Sequence, residues 1–329
     1  MESDNLKKVV LIGFILIVVL FYNIGLNSKT HNKEKYKDIN AFNSKQETLK
    51  NIKNFEKIKI GDSKNNVLNL IGEPARIDKS EYDFNWYVYN QYKEDFAMVG
   101  IKNDSVVGLY SNSLNTSEIK NIKINDNKDL VNSEFEPLEF KRKGNTKYMI
   151  NSDNQYDIVK FDDKYITFFY DIYENNRICS YQIIDKNSEM SLRGIYPEES
   201  EELKKSFELQ IIDLVNSVRY KNNLNGLKYS ENATESSKKH STDMACSNFF
   251  DHKNKTGESP FDRMKKEGIS YVTAGENIAA GQTSAIYAHE AWMNSEGHRK
   301  NILGDYNNIG VGVAFGGYYK IYYTQNFYK

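Results

Sequence analysis

Hydrophobic and polar positions follow two different periods along this chain, and the change of period divides it. Short runs such as YDFNWYVYN (82–90) and DFAMVGI (95–101) alternate apolar or aromatic with polar side chains, which predicts half-buried β-strands. From residue 207 the period becomes 3.6, which predicts a helix with one buried stripe. The stripe consists of Phe207, Ile211, Leu214, Val215 and Val218. We therefore expect two domains, joined by a linker over residues 197–205.

The strand-rich part contains two similar segments. IKIGDSKNNVLNLIGEP (58–74) recurs as IKINDNKDLVNSEFEP (122–137), and strand-like aromatic alternation follows each copy. Each copy predicts a short strand, a turn that caps a helix, and a proline that ends the helix. In the first copy the residues that cap, fill and end the helix are Asp62 or Ser63, then Val67, Leu68 and Ile71, then Gly72 and Pro74.

Residues 55–196 are therefore expected to form a duplicated α+β domain with an antiparallel sheet. Hairpin turns are predicted at Asn103 and Asp104 and again at Asp162 and Asp163. None of the five histidines of the chain lies in this domain. We therefore expect it to bind or regulate rather than to catalyse.

The first 28 residues predict a membrane helix. Lys7 and Lys8 precede an uncharged, mostly apolar run from Val9 to Leu26, which is long enough to cross a bilayer. No small-residue cleavage site follows, so an uncleaved signal anchor is favoured over a cleaved signal peptide. Residues 29–54 are rich in Lys, Asn, Glu and Ser and predict a tether. Lys29, Lys33, Lys35 and Lys37 outnumber the lysines before the run, so the positive-inside tendency argues against an outward orientation of the domains.

Composition excludes several classes of function. Hydrophobic residues make up 39% and charged residues 27% of the chain, so it can form folded cores. Lys+Arg 44 nearly balances Asp+Glu 45, which leaves no strong field for a nucleic acid. Cys179 and Cys246 have no CxxC spacing and are expected to be two isolated thiols rather than a disulfide.

Local signals in the last third of the chain predict its elements. A helix over about 231–245 places His240 on an inward stripe, and ESPFDRMKKEG predicts a helix with a capping box from Ser259 to Asp262. AGENIAAG (274–281) predicts a glycine-bounded loop around Glu276. The last strands alternate about a glycine pair and predict a hairpin.

Six ordered motifs in this region carry a resemblance. It resembles the CAP superfamily of cysteine-rich secretory and pathogenesis-related proteins, in particular its exported bacterial branch. The motifs are HSTDM (240–244), FFDH (249–252), GENIA (275–279), WMNSEGHRKNIL (292–303), IGVGVA (309–314) and YYTQNF (322–327). The preceding domain resembles the N-terminal domain that accompanies CAP domains in Gram-positive bacteria. The resemblance implies an α-β-α sandwich over residues 206–329, on the extracellular side of a single-pass membrane anchor.

The resemblance also implies a cleft. Eukaryotic members of the superfamily place two histidines and two glutamates there. The first histidine matches His240 and the first glutamate matches Glu276, whereas the second glutamate falls on Ser295 and the second histidine on Tyr322. The histidine typical of the bacterial branch matches His298. This chain therefore keeps half of that tetrad.

His240, Glu276 and His298 are the candidate catalytic residues. Histidine and glutamate in one cleft can exchange protons as base and acid. His240 and His298 are also candidate ligands of a divalent cation, zinc first, although no HExxH motif is present. In a structural alternative the histidines are hydrogen-bonded core residues and Glu276 stabilises a turn.

Other residues of these motifs have weaker assignments. The cleft-supporting candidates are Ser295, Glu296, Tyr322 and Asn277. Glu296 is expected either to replace the missing carboxylate or to cap a helix with Ser295. His252 is either a ligand at the rim of the cleft or a loop residue. His289 and Glu290 are expected to face solvent or to pack beside a buried stripe formed by Ile286, Trp292 and Met293.

The sequence thus predicts an anchored envelope protein that binds or hydrolyses peptidoglycan or another envelope component. Whether it is an enzyme stays open, because no serine or cysteine has a convincing nucleophile context. The alternative is a non-catalytic module that binds a lipid, a peptide or a partner protein.

Overall fold

A computed structural model describes residues 51–329 and the backbone of Val10–Leu11. Val10–Leu11 forms strand β1, which pairs in parallel with residues 148–149. The rest of the predicted anchor (1–28) and nearly all of the tether (29–54) lie outside the described residues. Among the described residues, no helix has the length and apolar character needed to span a bilayer.

The N-terminal domain is built on one seven-stranded antiparallel sheet in the order β2-β3-β4-β5-β10-β9-β8. Its strands are β2 (Arg76–Lys79), β3 (Asn85–Tyr89), β4 (Ala97–Lys102), β5 (Ser105–Ser111), β8 (Tyr156–Phe161), β9 (Lys164–Asp171) and β10 (Arg177–Asp185). A separate hairpin is formed by β6 (Phe140–Lys143) and β7 (Thr146–Met149). Its helices are α1 (Lys64–Ile71), α2 (Lys128–Glu134) and α3 (Lys186–Ser191), with 3-10 turns at Phe55–Lys57, Ser117–Ile119 and Ile172–Glu174.

The two sequence copies make equivalent backbone contacts in this sheet. In the first copy the N–H of Gly61 donates to the carbonyl of Val106 at 2.8 Å, and in the second the N–H of Asn125 donates to the carbonyl of Ile178 at 2.9 Å. Gly61 and Asn125 both have left-handed backbones, with φ of 93° and 76°. The copies join where β5 pairs with β10, so one sheet runs through both.

The short strand predicted at the start of each copy is absent, since residues 58–62 and 122–126 form no strand, whereas the helix of the first copy is confirmed. Ser63 caps α1, because its Oγ accepts the N–H of Asn66 at 3.2 Å. Asp62 instead accepts the N–H of Lys59 at 2.8 Å, within the preceding turn. Leu68 is only half-buried, since it lies at the edge of the stripe rather than at its centre.

Both predicted hairpin turns of this domain are confirmed. Asn103 and Asp104 adopt φ of 48° and 60° between β4 and β5, and Asp162 adopts 51° between β8 and β9. Asparagine and aspartate tolerate this left-handed backbone better than most residues, which is why the turns could be read from the sequence.

The C-terminal domain is an α-β-α sandwich, as predicted. Its sheet has the order β11-β13-β14-β12, with β11 (Lys228–Tyr229), β12 (Ala274–Ala280), β13 (Asn308–Gly316) and β14 (Lys320–Tyr328). Its helices are α4 (Glu201–Lys221), α5 (Glu231–Ser247), α6 (Pro260–Lys266), α7 (Ala285–Met293) and α8 (Glu296–Ile302). Apolar side chains of α4, α7 and α8 cover one face of the sheet, and those of α5 and α6 cover the other.

The predicted linker is shorter than residues 197–205. Helix α4 already begins at Glu201, because the side chain of Ser200 caps it by accepting the N–H of Leu203 at 3.1 Å. Glu201 and Glu202 favour the first turn through the helix dipole. Residues 201–205 therefore belong to the helix.

The predicted loop around Glu276 is instead strand β12, which pairs with β14 along its whole length. The prediction took Gly275 as a turn residue, whereas this glycine allows neighbouring side chains to pack closely against the strand. A Cβ atom at Gly275 would lie 2.7 Å from the hydroxyl of Tyr306 and 3.0 Å from Oδ1 of Asn301. The glycine admits these side chains against an extended backbone.

Two glycines of β13 let α5 lie directly on the sheet. A Cβ atom at Gly310 would come within 2.1 Å of the backbone nitrogen of Thr234, and one at Gly312 within 2.1 Å of that of Lys238. The hydroxyl of Ser241 donates to the carbonyl of Gly312 at 2.9 Å. This contact fixes the position of α5 and so of His240.

Buried polar contacts join the two domains. Asp213 of α4 accepts hydrogen bonds from Arg76 and Asn90, each at 2.6 Å. Glu290 of α7 accepts from the side chains of Tyr110, Cys179 and Ser180 of the N-terminal domain. His289 and Glu290 are both buried, so of the two alternatives expected for them, packing holds and exposure to solvent does not. Helix α7 is covered on two sides. The core of the C-terminal domain covers one side, and the N-terminal domain covers the other.

We expect Gly312→Ala to destabilise the C-terminal domain by about 3 kcal/mol or more, since the added methyl group would collide with backbone atoms of α5. Urea denaturation followed by tryptophan fluorescence measures this. The matched control is Gly194→Ala, whose Cβ would have only an ordinary contact of 3.6 Å with the Tyr148 hydroxyl. Equal denaturation midpoints for the two variants would contradict the proposed close contact.

Candidate functional site

A buried carboxylate lies at the centre of the candidate site. Glu276 projects from the edge strand β12, and its side chain is 1% exposed. Its Oε2 lies 2.6 Å from Nη2 of Arg263 on α6, and its Oε1 accepts from Nδ1 of His252 at 2.9 Å. Burial alone would raise the pKa of Glu276, but the Arg263 charge and the His252 hydrogen bond hold it below its usual value. Glu276 is therefore ionised.

His240 lies beside this carboxylate on α5, on the inward side of the helix as predicted. Its Nε2 lies 3.0 Å from the backbone oxygen of Asp251, so the ring donates its proton there and Nδ1 is the acceptor. No described residue donates to that buried Nδ1. Burial lowers the pKa of His240, although the nearby Glu276 acts in the opposite direction. The imidazole is thus neutral.

His298 is the least satisfied side chain of the site. It is 3% exposed on α8, and within residues 51–329 neither ring nitrogen has a hydrogen-bond partner. Burial lowers its pKa to about 4, and the charge of His252 acts in the same direction. Buried polar atoms are normally paired, so a neutral ring with one donor and one acceptor unused is suited to hold a polar ligand group.

Asn277 supports the position of His298. Its Nδ2 donates to the backbone oxygen of His298 at 3.2 Å and to Oε1 of Gln325 at 3.0 Å. Its Oδ1 accepts from Nδ2 of Asn301 at 2.9 Å. Because Asn277 follows Glu276 on one strand, the two side chains lie on opposite faces of β12. Neighbouring residues of this strand thus fix the carboxylate on one face and the His298 helix on the other.

Of the three candidate catalytic residues, Glu276 and His240 are close enough for their charges to interact, whereas no contact within residues 51–329 joins His298 to either of them. Glu276 contacts His252 directly, and the charge of His252 lowers the pKa of both His240 and His298. His252 is therefore within electrostatic reach of both other rings. Its side chain is 22% exposed, which makes it the most accessible of these groups.

Three of the predicted supporting residues do not join the site. Ser295 precedes α8 without capping it through its side chain, and Glu296 is exposed in the first turn of α8, so it does not replace the missing carboxylate. Tyr322 lies opposite Ala280 on β14, whereas Glu276 lies opposite Asn326. The four-residue separation corresponds to about 13 Å along a strand, too far for Tyr322 to act at Glu276.

Sequence reasoning missed Arg263 and left His252 open. Arg263 lies in the helix that the capping box predicted, and the box is present as expected. Its buried position follows from its spacing, because it lies one turn after Ser259 on the inward side of α6. Its contact with Glu276 joins two separate elements, so no local pattern pointed to it.

These residues do not fit the expected zinc ion. Among the described residues, no group of three or more His, Cys, Asp or Glu side chains is arranged to hold a metal ion. Both carboxylate oxygens of Glu276 are engaged, and the Arg263 guanidinium beside them would repel a cation. The two cysteines, also expected to be isolated, are both free thiols.

Two family descriptions match separate parts of the chain. Residues 60–195 match the CAP-associated N-terminal family, and residues 212–327 match the cysteine-rich secretory protein family, CAP. The uncharacterized membrane protein YlbC of Bacillus subtilis (strain 168) is 31% identical over 290 residues, which cover 82% of each protein. The uncharacterized protein YkwD of the same organism is 48% identical over 113 residues, which cover 34% of this chain and 44% of that protein.

Solved structures of bacterial proteins show the same architecture. An extracellular protein containing an SCP domain from Bacillus anthracis str. Ames matches with a TM-score of 0.70 and 26% identity, covering 92% of this chain and 99% of that one. A cysteine-rich secretory protein from Staphylococcus aureus subsp. aureus Mu50 matches with a TM-score of 0.63 over 82% of this chain and 93% of that one. At 18% identity the second likeness concerns the fold alone.

We expect His298 to make the folded state sensitive to acid. Its folded pKa is about 4 and its ordinary value 6.5, so between these values the unfolded chain binds a proton that the folded chain does not. The free energy of unfolding therefore falls as the pH drops from about 6.5 to about 4, by roughly 3 kcal/mol for this group. Urea denaturation of the wild type and of His298→Phe across that range measures the difference.

The exposed Lys205→Met serves as the control for that comparison and should follow the wild type. If His298→Phe keeps the whole acid sensitivity of the wild type, His298 is not held neutral in the folded protein.

Proposed function

Since this chain belongs to the CAP family of cysteine-rich secretory proteins and carries the CAP-associated N-terminal domain, we propose that it is a membrane-tethered protein of the cell envelope. Its relatives support this location, because YlbC is named a membrane protein and the Bacillus anthracis protein is named extracellular. The apolar run over residues 9–26 would serve as the membrane anchor, which requires Val10–Leu11 to leave its pairing with β7, and both domains would lie outside the membrane.

At that location the CAP domain binds a component of the cell wall, peptidoglycan first. The observation that supports this role is the buried His298 ring, whose two nitrogens have no hydrogen-bond partner in the described part of the chain. With a pKa near 4 the ring is neutral at ordinary pH and can both donate and accept. The amide and hydroxyl groups of peptidoglycan also donate and accept without carrying charge, so they complement this ring.

The fixed charges of the site favour the same class of ligand. Arg263 neutralises Glu276 within 2.6 Å, so the pair presents little net charge to a ligand. The unpartnered Nδ1 of His240 offers one further acceptor on the face that carries Glu276. A polar but uncharged segment would thus meet matching hydrogen-bonding groups without losing a counter-ion.

Hydrolysis of the bound component is the second candidate function, and the contact between His252 and Glu276 favours it. Glu276 accepts from Nδ1 of His252 at 2.9 Å, which orients the mostly buried ring and leaves Nε2 available to take a proton. In this reaction water attacks the scissile bond, His252 takes the proton of that water, and the same ring returns it to the leaving group. Glu276 stabilises the imidazolium that forms in between.

The binding function predicts that His298→Phe weakens binding of the full-length protein to purified peptidoglycan sacculi. Phenylalanine keeps the ring shape but removes both nitrogens, so the affinity should fall at least about tenfold. Co-sedimentation at increasing sacculus concentration measures it. The exposed, isosteric Glu202→Gln on α4 is the control and should bind as the wild type does. Unchanged binding by His298→Phe would exclude this ring from the binding surface.

The hydrolytic function predicts a separate effect of His252→Asn. Loss of the proton acceptor should reduce the release of soluble fragments from sacculi by about 100-fold or more, while binding stays within about twofold. Chromatography of the released fragments measures the rate. If the wild type binds sacculi and releases no fragments, the hydrolytic candidate fails and the binding function stands.

A further inference from the structure

A polar cavity lies between the two domains, away from Glu276 and its partners Arg263 and His252. Its volume is about 300 Å³, at the lower end of the range for small-molecule sites. The N-terminal domain lines it with the residues around β10, and the C-terminal domain lines it with α4, α7 and Arg299 in the last turn of α8. Neither the proposed wall binding nor the proposed hydrolysis uses this cavity.

Two hydrogen-bond donors converge on one side of the cavity. Lys221, at the end of α4, lines it and donates to the backbone oxygen of Asn112. Within residues 51–329 Lys221 forms no ion pair. Asn112 is 3% exposed, and its side-chain oxygen accepts from the hydroxyl of Ser217 at 2.9 Å. Its side-chain nitrogen has no partner among the residues that the structure describes.

Arg177, Lys221 and Arg299 line the cavity together with Asp171, Glu174 and Glu290, so its formal charges balance. Arg299 is neutralised by Asp171 at 2.8 Å, and burial raises the pKa of Glu290, which favours its neutral form. Arg177 also lines the cavity but is exposed to solvent, and burial lowers the pKa of Lys221 while Cys179, Glu290 and Asp171 act in the opposite direction. The remaining lining carboxylate, Glu174, is exposed to solvent. Because Lys221 and the unpartnered side-chain nitrogen of Asn112 both offer donors, a ligand with oxygen acceptors fits the cavity better than a cation.

We propose that this cavity binds a small organic oxyanion, either a carboxylate or a phosphate ester, held by the ammonium group of Lys221 and the side-chain amide of Asn112. Oxygen acceptors of such a ligand would satisfy both donors at once. The ligand would touch both domains and would lie beside Arg299, the neighbour of His298 on α8. Occupancy of the cavity is thus expected to stabilise the contact between the domains.

Thermal unfolding of the full-length protein tests the proposal. Malonate serves as the carboxylate probe and glycerol 3-phosphate as the phosphate ester, with malonamide and glycerol as their uncharged analogues at equal ionic strength. A ligand that binds only the folded state raises Tm, and a rise of about 2 °C or more is expected with at least one anion. The anion that acts identifies the chemical source, and the uncharged analogues should leave Tm unchanged.

Two substitutions locate the effect. Lys221→Met removes the charge and keeps the length of the side chain. Asn112→Asp keeps the oxygen that accepts from Ser217 and places a competing carboxylate beside Lys221. Each should weaken the affinity measured by calorimetry at least about tenfold. Lys205→Met is the matched control, because Lys205 lies on the same helix and is exposed outside the cavity.

Three results would overturn the proposal. Neither anion raises Tm, the uncharged analogues raise it equally, or Lys221→Met and Asn112→Asp both respond as the wild type does. If Lys221→Met loses the rise in Tm with the anion but binds sacculi as the wild type does, the cavity acts independently of the proposed wall-binding function.

Discussion

The ion pair between Arg263 and Glu276 is the interaction on which the candidate site depends. A carboxylate that is 1% exposed is tolerated in a protein interior only when a countercharge and hydrogen bonds replace water. Arg263 supplies the charge, and His252 supplies a further hydrogen bond at 2.9 Å. The pair therefore ties α6, the loop after α5 and the edge strand together. Removing either partner would leave a buried, uncompensated charge.

The chemistry of the surrounding rings follows from that constraint. One anion is already neutralised, so the buried histidines gain little from becoming charged, and burial keeps His240 and His298 neutral. Neutral imidazoles recognise hydrogen-bonding groups rather than charges. Only His252 combines contact with the carboxylate and access to solvent, which is why binding and proton transfer are assigned to different rings.

Much of this arrangement could be predicted from local patterns. The step of three and four residues along α5 placed His240 inward, and the capping box fixed the start of α6. Contacts between distant segments were harder to predict. Glycine in GENIA indicated a turn, although Gly275 makes room for the Tyr306 side chain beside a strand. Helix periodicity identified one buried side of α7 and could not indicate that a second domain covers Glu290.

The buried Glu290 has a consequence for how the two domains are inherited. Its carboxyl group depends on donors that belong to the other domain, namely the side chains of Tyr110, Cys179 and Ser180. A gene fusion that joined this CAP domain to an unrelated domain would leave the carboxyl group of Glu290 buried without these hydrogen-bond donors. Recombination is therefore expected to exchange the two domains as one block, and substitutions at position 290 should co-vary with those at position 180.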